Sequence, residues 1–177
     1  MARTSAAVII LLALSCAAPS SPPEPTAIQN IDLGLELTGL PDGLALASNQ
    51  GTSLELRPTD PSEGGVLWFA VGPEQEGVNL VAAVQDHQAQ LEGKNGADYK
   101  GAQELTGDFG TAFYSRGRYI DENGGLTEET VVFMIPPAGN RLLGIHYRYP
   151  AAEDSAARVE QLIDTISYVA AAPNSEA

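Results

Sequence analysis

Cysteine is almost missing from this 177-residue chain: there is one, Cys16, and it lies near the amino terminus. Beyond residue 16 there is none, which excludes both a disulfide framework and a thiolate zinc site from the folded part. Basic residues are scarce as well, nine against 23 acidic ones, for a formal charge of −14. That excess of anions argues against nucleic acid and against broad phosphate-coated surfaces. The two histidines, His87 and His146, have no local metal-ligand spacing. There is no Gly-x-Ser-x-Gly elbow, no phosphate-binding loop and no Gly-x-Gly-x-x-Gly after a strand, so no cofactor is indicated.

What is present begins with Arg3, followed by nine apolar or small residues at 6–14 and then Ser15-Cys16. This layout is that of a secretory signal, too short for the roughly 20 residues that a bilayer-spanning helix needs. The segment Ala13-Leu14-Ser15-Cys16 resembles a bacterial lipoprotein box, in which the chain is cut before a cysteine that then carries lipid. The resemblance implies residues 1–15 as signal peptide and Cys16 as an acylated anchor, mooring the protein to a membrane without spanning it. The alternative is a cut after Ala17 or Ala18, which would release a soluble exported protein. If Arg3 leaves with the signal, the remaining charge is −15.

Residues 16–30 contain four prolines among small polar residues, a composition suited to an extended tether. Residues 170–177 are small or polar and read as a tail. The stretch between them, 31–169, has the size of one domain.

Within it, Ile31, Leu33, Leu35 and Leu37 alternate with polar or small residues and predict a strand over 31–38. Pro41-Asp42-Gly43 and Asn49-Gln50-Gly51 supply turns between short strands at 44–48, 53–57 and 66–71, an antiparallel meander. From 78 to 91 the period changes: Leu80, Val81, Val84, His87 and Leu91 form a helical stripe closed by Gly93. Strands are predicted again at 102–105, 109–120, 130–135 and 141–149, and a final helix at 152–166, with Val159, Leu162, Ile163 and Ile166 facing inward. Segregated strand groups, each followed by a helix, define an α+β class: an antiparallel sheet with two packed helices.

This element order, with three long strands closing on the helix that contains Leu162-Ile163-Asp164-Thr165-Ile166, resembles the PsbP-like superfamily. That superfamily includes the photosystem II extrinsic subunit, a eukaryotic Ran-binding protein and bacterial lipoproteins of the DcrB type. The resemblance implies a sandwich that binds or assembles without catalysis, and it carries over no functional residue.

Two readings of possible chemistry follow from the residues themselves. Tyr114, Arg116 and Arg118 alternate onto one face of a strand, as do His146 and Arg148 on another. If those faces coincide, the five would grip a small anionic group. The plainer reading, which we favour, pairs the arginines with cross-strand acids such as Glu128 and Glu129 on a solvated sheet face. His87 beside Asp86 invites a general-base role in a small hydrolase, as does His146. Adjacent helical residues do not face one another, however, and His87 fits the apolar stripe. The loop from Asp121 opens like a calcium site, but Leu126 stands where the glycine belongs and Val132 where the closing glutamate belongs, so it reads as a turn. The functional expectation is an exported, lipid-anchored accessory protein that binds an envelope protein or a small ligand.

Overall fold

The computed structural model describes residues 27–107, 109–137, 140–151 and 156–169. The signal, Cys16, most of the tether and the tail lie outside the described residues.

Seven antiparallel strands form the main sheet: β3 (Leu44–Gln50), β4 (Ser53–Pro58), β5 (Val66–Val71), β6 (Asp98–Gly107), β7 (Gly110–Ile120), β8 (Leu126–Met134) and β9 (Leu143–Pro150), in the order β3-β4-β5-β9-β8-β7-β6. Two meanders, β3 to β5 and β6 to β9, therefore meet where β5 pairs with β9. A second, three-stranded sheet holds β1 (Ile28–Asn30), β2 (Leu35–Leu37) and β10 (Ile166–Tyr168).

Helix α1 (Leu80–Glu92) starts at Asn79, whose side chain accepts hydrogen bonds from the Val81 and Ala82 amides and satisfies two otherwise orphaned donors. Helix α2 (Ala156–Ile163) lies on the other side of the main sheet. Period-two alternation sorts the strands between those sides. One face sends Leu54, Leu56, Leu67, Phe69, Val132, Ile145, Tyr147 and Tyr149 into a core closed by Leu35, Leu37, Val159 and Leu162. The opposite face sends Val131 and Phe133 against Val84 of α1. Helix α1 packs mainly across β7, β6 and β8. Among the described residues, neither helix has its main contacts on the same face of β4, β5 and β9, where Trp68 and His146 stand half-buried.

The α+β class and the antiparallel sheet with two packed helices agree with the sequence reading, with the helices on opposite faces. Three local expectations are corrected. Residues 31–38 are not one strand: the chain turns through 31–34, with Gly34 at φ +71 and its amide bonded to the Ile31 carbonyl. The alternation misled because Leu33 tucks inward from the turn, whereas Ile31 is 64% exposed. Ile166 belongs to β10, not to the final helix, since the Thr165 amide bonds to Leu162 O and ends the helical run. Strand β8 begins at Leu126, four residues before the predicted start, which changes the meaning of Glu128 and Glu129.

Candidate functional site

Strand β8 lies inside the sheet between β7 and β9, and every residue from Thr127 to Met134 is buried. Two carboxylates side by side in such a strand point to opposite faces, so each needs its own set of donors.

Glu128 faces the larger core, with its side chain 1% exposed. It accepts hydrogen bonds from Arg116, from Arg118 at 2.5 Å and from the Tyr149 hydroxyl at 2.7 Å. Burial pushes its carboxyl up, and the bonds from Arg116, Tyr149 and Arg118 outweigh that and hold it below the ordinary value.

Glu129 faces α1. Its Oε2 accepts from Lys94 Nζ at 2.7 Å, Tyr119 Oη at 3.1 Å and Arg148 Nε at 3.3 Å. Its Oε1 lies 3.7 Å from His87 Nε2, beyond hydrogen-bond reach. Burial raises this carboxyl too, but the neighbouring His87, Lys94 and Arg148 hold it far below the usual carboxylate range. Tyr119 moves the other way: burial and the adjacent Glu129 charge push its phenol up to about 12, so it stays a donor.

Local sequence fixes these positions. Gly93 closes α1, the Lys94 amide bonds to Leu91 O, and Asn95 O receives the Ile120 amide; Lys94 is thereby set over the Tyr119 ring at 3.8 Å. At the β7–β8 turn, Asp121 accepts from the amides of Asn123 and Gly125 and from Thr127 Oγ1, which pins the register that brings Arg118 opposite Glu128. Gly117 leaves the space that Leu91 of α1 fills, a Cβ there lying 2.7 Å from Leu91 Cδ1.

Beneath α1, His87 Nδ1 meets Ser115 Oγ at 2.9 Å, and Tyr99 Oη stands 3.4 Å from the same oxygen. Serine, imidazole and carboxylate lie in the order of a nucleophilic triad, but the imidazole–carboxylate link is too long for a hydrogen bond. Ser115 is also fully buried beneath α1. Asp86, considered as a partner for His87, is exposed on the helix.

The five residues considered for an anion grip are not brought together. Through the register, Tyr114, Arg116 and Arg118 share a face with Val132, Thr130 and Glu128, and then with Ile145, Tyr147 and Tyr149. His146 and Arg148 share the other face with Val131 and Glu129. The sheet itself separates the two groups. The arginines do meet Glu128 and Glu129, though on buried carboxylates instead of a solvated face.

His146 stacks on Trp68, with centroids 4.9 Å apart and planes within 8°, and meets the edge of Phe133. Burial pushes its imidazole down to about 4, with Glu129 pulling weakly upward, so the ring is neutral near pH 7. Arg148 lies over the other side of the network, its guanidinium carbon 5.3 Å from the Trp68 ring centre. Beside it opens a cleft of about 1060 Å³ lined by Arg57, Lys94, Tyr119, Asp121, Glu122 and Arg148, among others. Sequence reasoning missed Lys94, Tyr119, Ser115 and Trp68 as parts of one assembly. The available signal was Glu128-Glu129 directly ahead of the apolar run Val131-Val132-Phe133-Met134.

A seven-stranded antiparallel sheet with a helix on each face and a small second sheet over the larger core is the PsbP-like α+β fold. No protein-family model matches the chain, and no curated protein matches it in sequence. Among solved structures, it is similar to LpqN of Mycobacterium tuberculosis, involved in cell envelope biogenesis, at 16% identity over 82% of this chain and 90% of that one, with a TM-score of 0.58. It is similar to the Ran-binding protein Mog1p of Saccharomyces cerevisiae at 12% identity over 81% and 95%, TM-score 0.56. The cyanobacterial PsbP of Synechocystis follows at 10% identity over 88% and 98%, TM-score 0.54. A protein of Bacteroides thetaiotaomicron is longer: 83% of this chain spans 49% of it, at 11% identity and TM-score 0.56. At these identities the likeness is one of fold. Of these neighbours, LpqN is described as involved in cell envelope biogenesis and Mog1p as a Ran-binding protein.

Proposed function

We propose that this is an exported accessory protein, moored to a bacterial envelope membrane by lipid on Cys16, that holds a partner protein or small ligand without chemical turnover. The carrying observation is the fate of its charged groups. Glu128 and Glu129 are each enclosed by cations and a tyrosine, and the Ser115–His87 pair is sealed under α1. Groups held in this way stabilise a scaffold, and a nucleophile must instead meet its substrate. Among the described residues, the surface available for binding is the sheet face around Trp68, His146 and Arg148 and the cleft that Arg148 also lines. The likeness to an envelope-biogenesis protein and to a Ran-binding protein supports this reading at the level of fold.

The test uses the full chain in a bacterial envelope. Metabolic labelling with an alkyne fatty acid should tag the wild type and not Cys16→Ser, and the variant should leave the membrane fraction. A photo-crosslinker at Trp68 should give a reproducible adduct that one at Glu160, on the opposite side, does not. Unlabelled wild-type protein overturns the anchor. Substrate hydrolysis that disappears in His87→Ala or His146→Ala overturns the non-catalytic reading and favours a small hydrolase.

A further inference from the structure

The charges around Glu129 do not balance. One buried carboxylate is met by two full cations, Lys94 and Arg148, and both also reach the surface: their side chains are 30% and 45% exposed. A lone carboxylate has room for about four hydrogen bonds, yet Lys94 carries three donors and Arg148 five. Lys94 uses one on Glu129, and Arg148 meets the same oxygen through Nε and Nη2, both at 3.3 Å. A third cation, Arg57, is 63% exposed and meets Glu55 through Nε at 2.5 Å. All three line the same cleft.

We propose that this cleft binds a small molecule by an oxyanion head, a carboxylate or a phosphate, held between Arg148, Lys94 and Arg57. The inference rests on the binding reading above and names its site and ligand chemistry. Guanidinium groups suit this head because their parallel N–H bonds match two oxygens at once. The carboxylate of Glu129 fixes Arg148 and Lys94 in place before the ligand arrives, which lowers the ordering cost of binding. Asp121 and Glu122 also line the cleft. Asp121 is engaged by the Asn123 and Gly125 amides, and the pair favours a ligand whose remaining part carries hydrogen-bond donors or a positive charge. The overall charge of the chain does not forbid an anion here. At physiological salt the screening length is about 8 Å, so the cations touching the ligand outweigh distant carboxylates.

The chain reports on its own cleft, since Trp68 is its single tryptophan and lies 5.3 Å from the Arg148 guanidinium carbon. Full-length protein is titrated at constant ionic strength with inorganic phosphate, with alanyl-alanine and with the C-terminal amide of that dipeptide, following Trp68 fluorescence. A saturable change with the dipeptide but not its amide assigns a carboxylate head; a saturable change with phosphate alone assigns a phosphate head. Arg148→Gln should weaken the response about tenfold, the value of one charge-assisted hydrogen bond. Because Arg148 also supports Glu129, Arg57→Gln serves as the variant that leaves the buried network intact, and it should weaken binding several-fold. Silence in both oxyanion arms, an equal response to the amide, or an Arg57→Gln protein that binds like wild type overturns the site. If the Trp68 crosslink in the envelope persists while the titrations are silent, this inference fails and the accessory-protein reading stands. If turnover is found instead, that reading fails.

Discussion

Replacing Glu129 by glutamine keeps the shape of the side chain and removes the charge that Lys94 and Arg148 are arranged around. The cations would then face a neutral amide in a largely dry site, and breaking a buried pair from one side costs about 3 kcal/mol. Urea denaturation should show that loss as a lower midpoint with an unchanged slope. Arg57→Gln, an exposed change, should move stability by less than about 0.5 kcal/mol in the same measurement. The two positions illustrate where the sequence was readable. Alternation correctly separated Leu143, Ile145, Tyr147 and Tyr149 from His146 and Arg148, because side-chain direction along one strand is a local property. It could not say which face of β7 joins which face of β9. That depends on pairing across β8, and a shift of one residue there reverses the answer.

Between elements, the contact of α1 with β7 depends on an absent side chain. Leu91 occupies the space above Gly117, and Gly117→Ala would press a methyl group to within 2.7 Å of its Cδ1 and 3.4 Å of the Asp98 carbonyl. Overpacking at a buried contact costs about 1–3 kcal/mol. Since Lys94 follows α1 directly, the displacement should also loosen its hold on Glu129, and hydrogen exchange should speed up in α1 and at the Tyr119 amide before the rest of the sheet. The helix itself was legible from the steps between Val84, His87 and Leu91. Its position over β6, β7 and β8 was not, because no pattern within one helix tells how wide the sheet beneath it is. The turn at 31–34 escaped for a related reason: burial of Leu33, Leu35 and Leu37 copies strand periodicity although the backbone bends at Gly34.

For the whole molecule between pH 7 and pH 3, His146, Glu128 and Glu129 all push stability in the same direction. His146 is held at about 4 by burial, against an ordinary value of 6.5. Between those values the unfolded chain takes up a proton that the folded ring refuses, so stability falls as pH drops from 6.5 toward 4. The fully developed loss is about 2 kcal/mol once partial solvent contact is allowed for. Glu128 and Glu129 are displaced downward from 4.5, so their stabilisation is complete above that value and lost as pH falls below it. Denaturation midpoints measured from pH 7 to pH 3 should decline in two stages, and His146→Gln should flatten the first stage alone. An equal slope in the variant would remove His146 as its source. Composition made the acidity of the chain obvious, yet not that the carboxylates of Glu128 and Glu129 lie inside it.

Together with the Asp121 turn, the adjacent glutamates on β8 give the strand an alignment key. Sliding β8 by one position would offer Arg116 and Arg118 a glutamate still, but would present Thr130 to Lys94 and Arg148, or in the other direction Thr127 to the arginines. Either mispairing strands a cluster of positive charge beneath a helix or within the larger core. Hydrophobic residues such as Val131 and Val132 tolerate exchange between the two sides, so it is the acids that make the correct alignment unique.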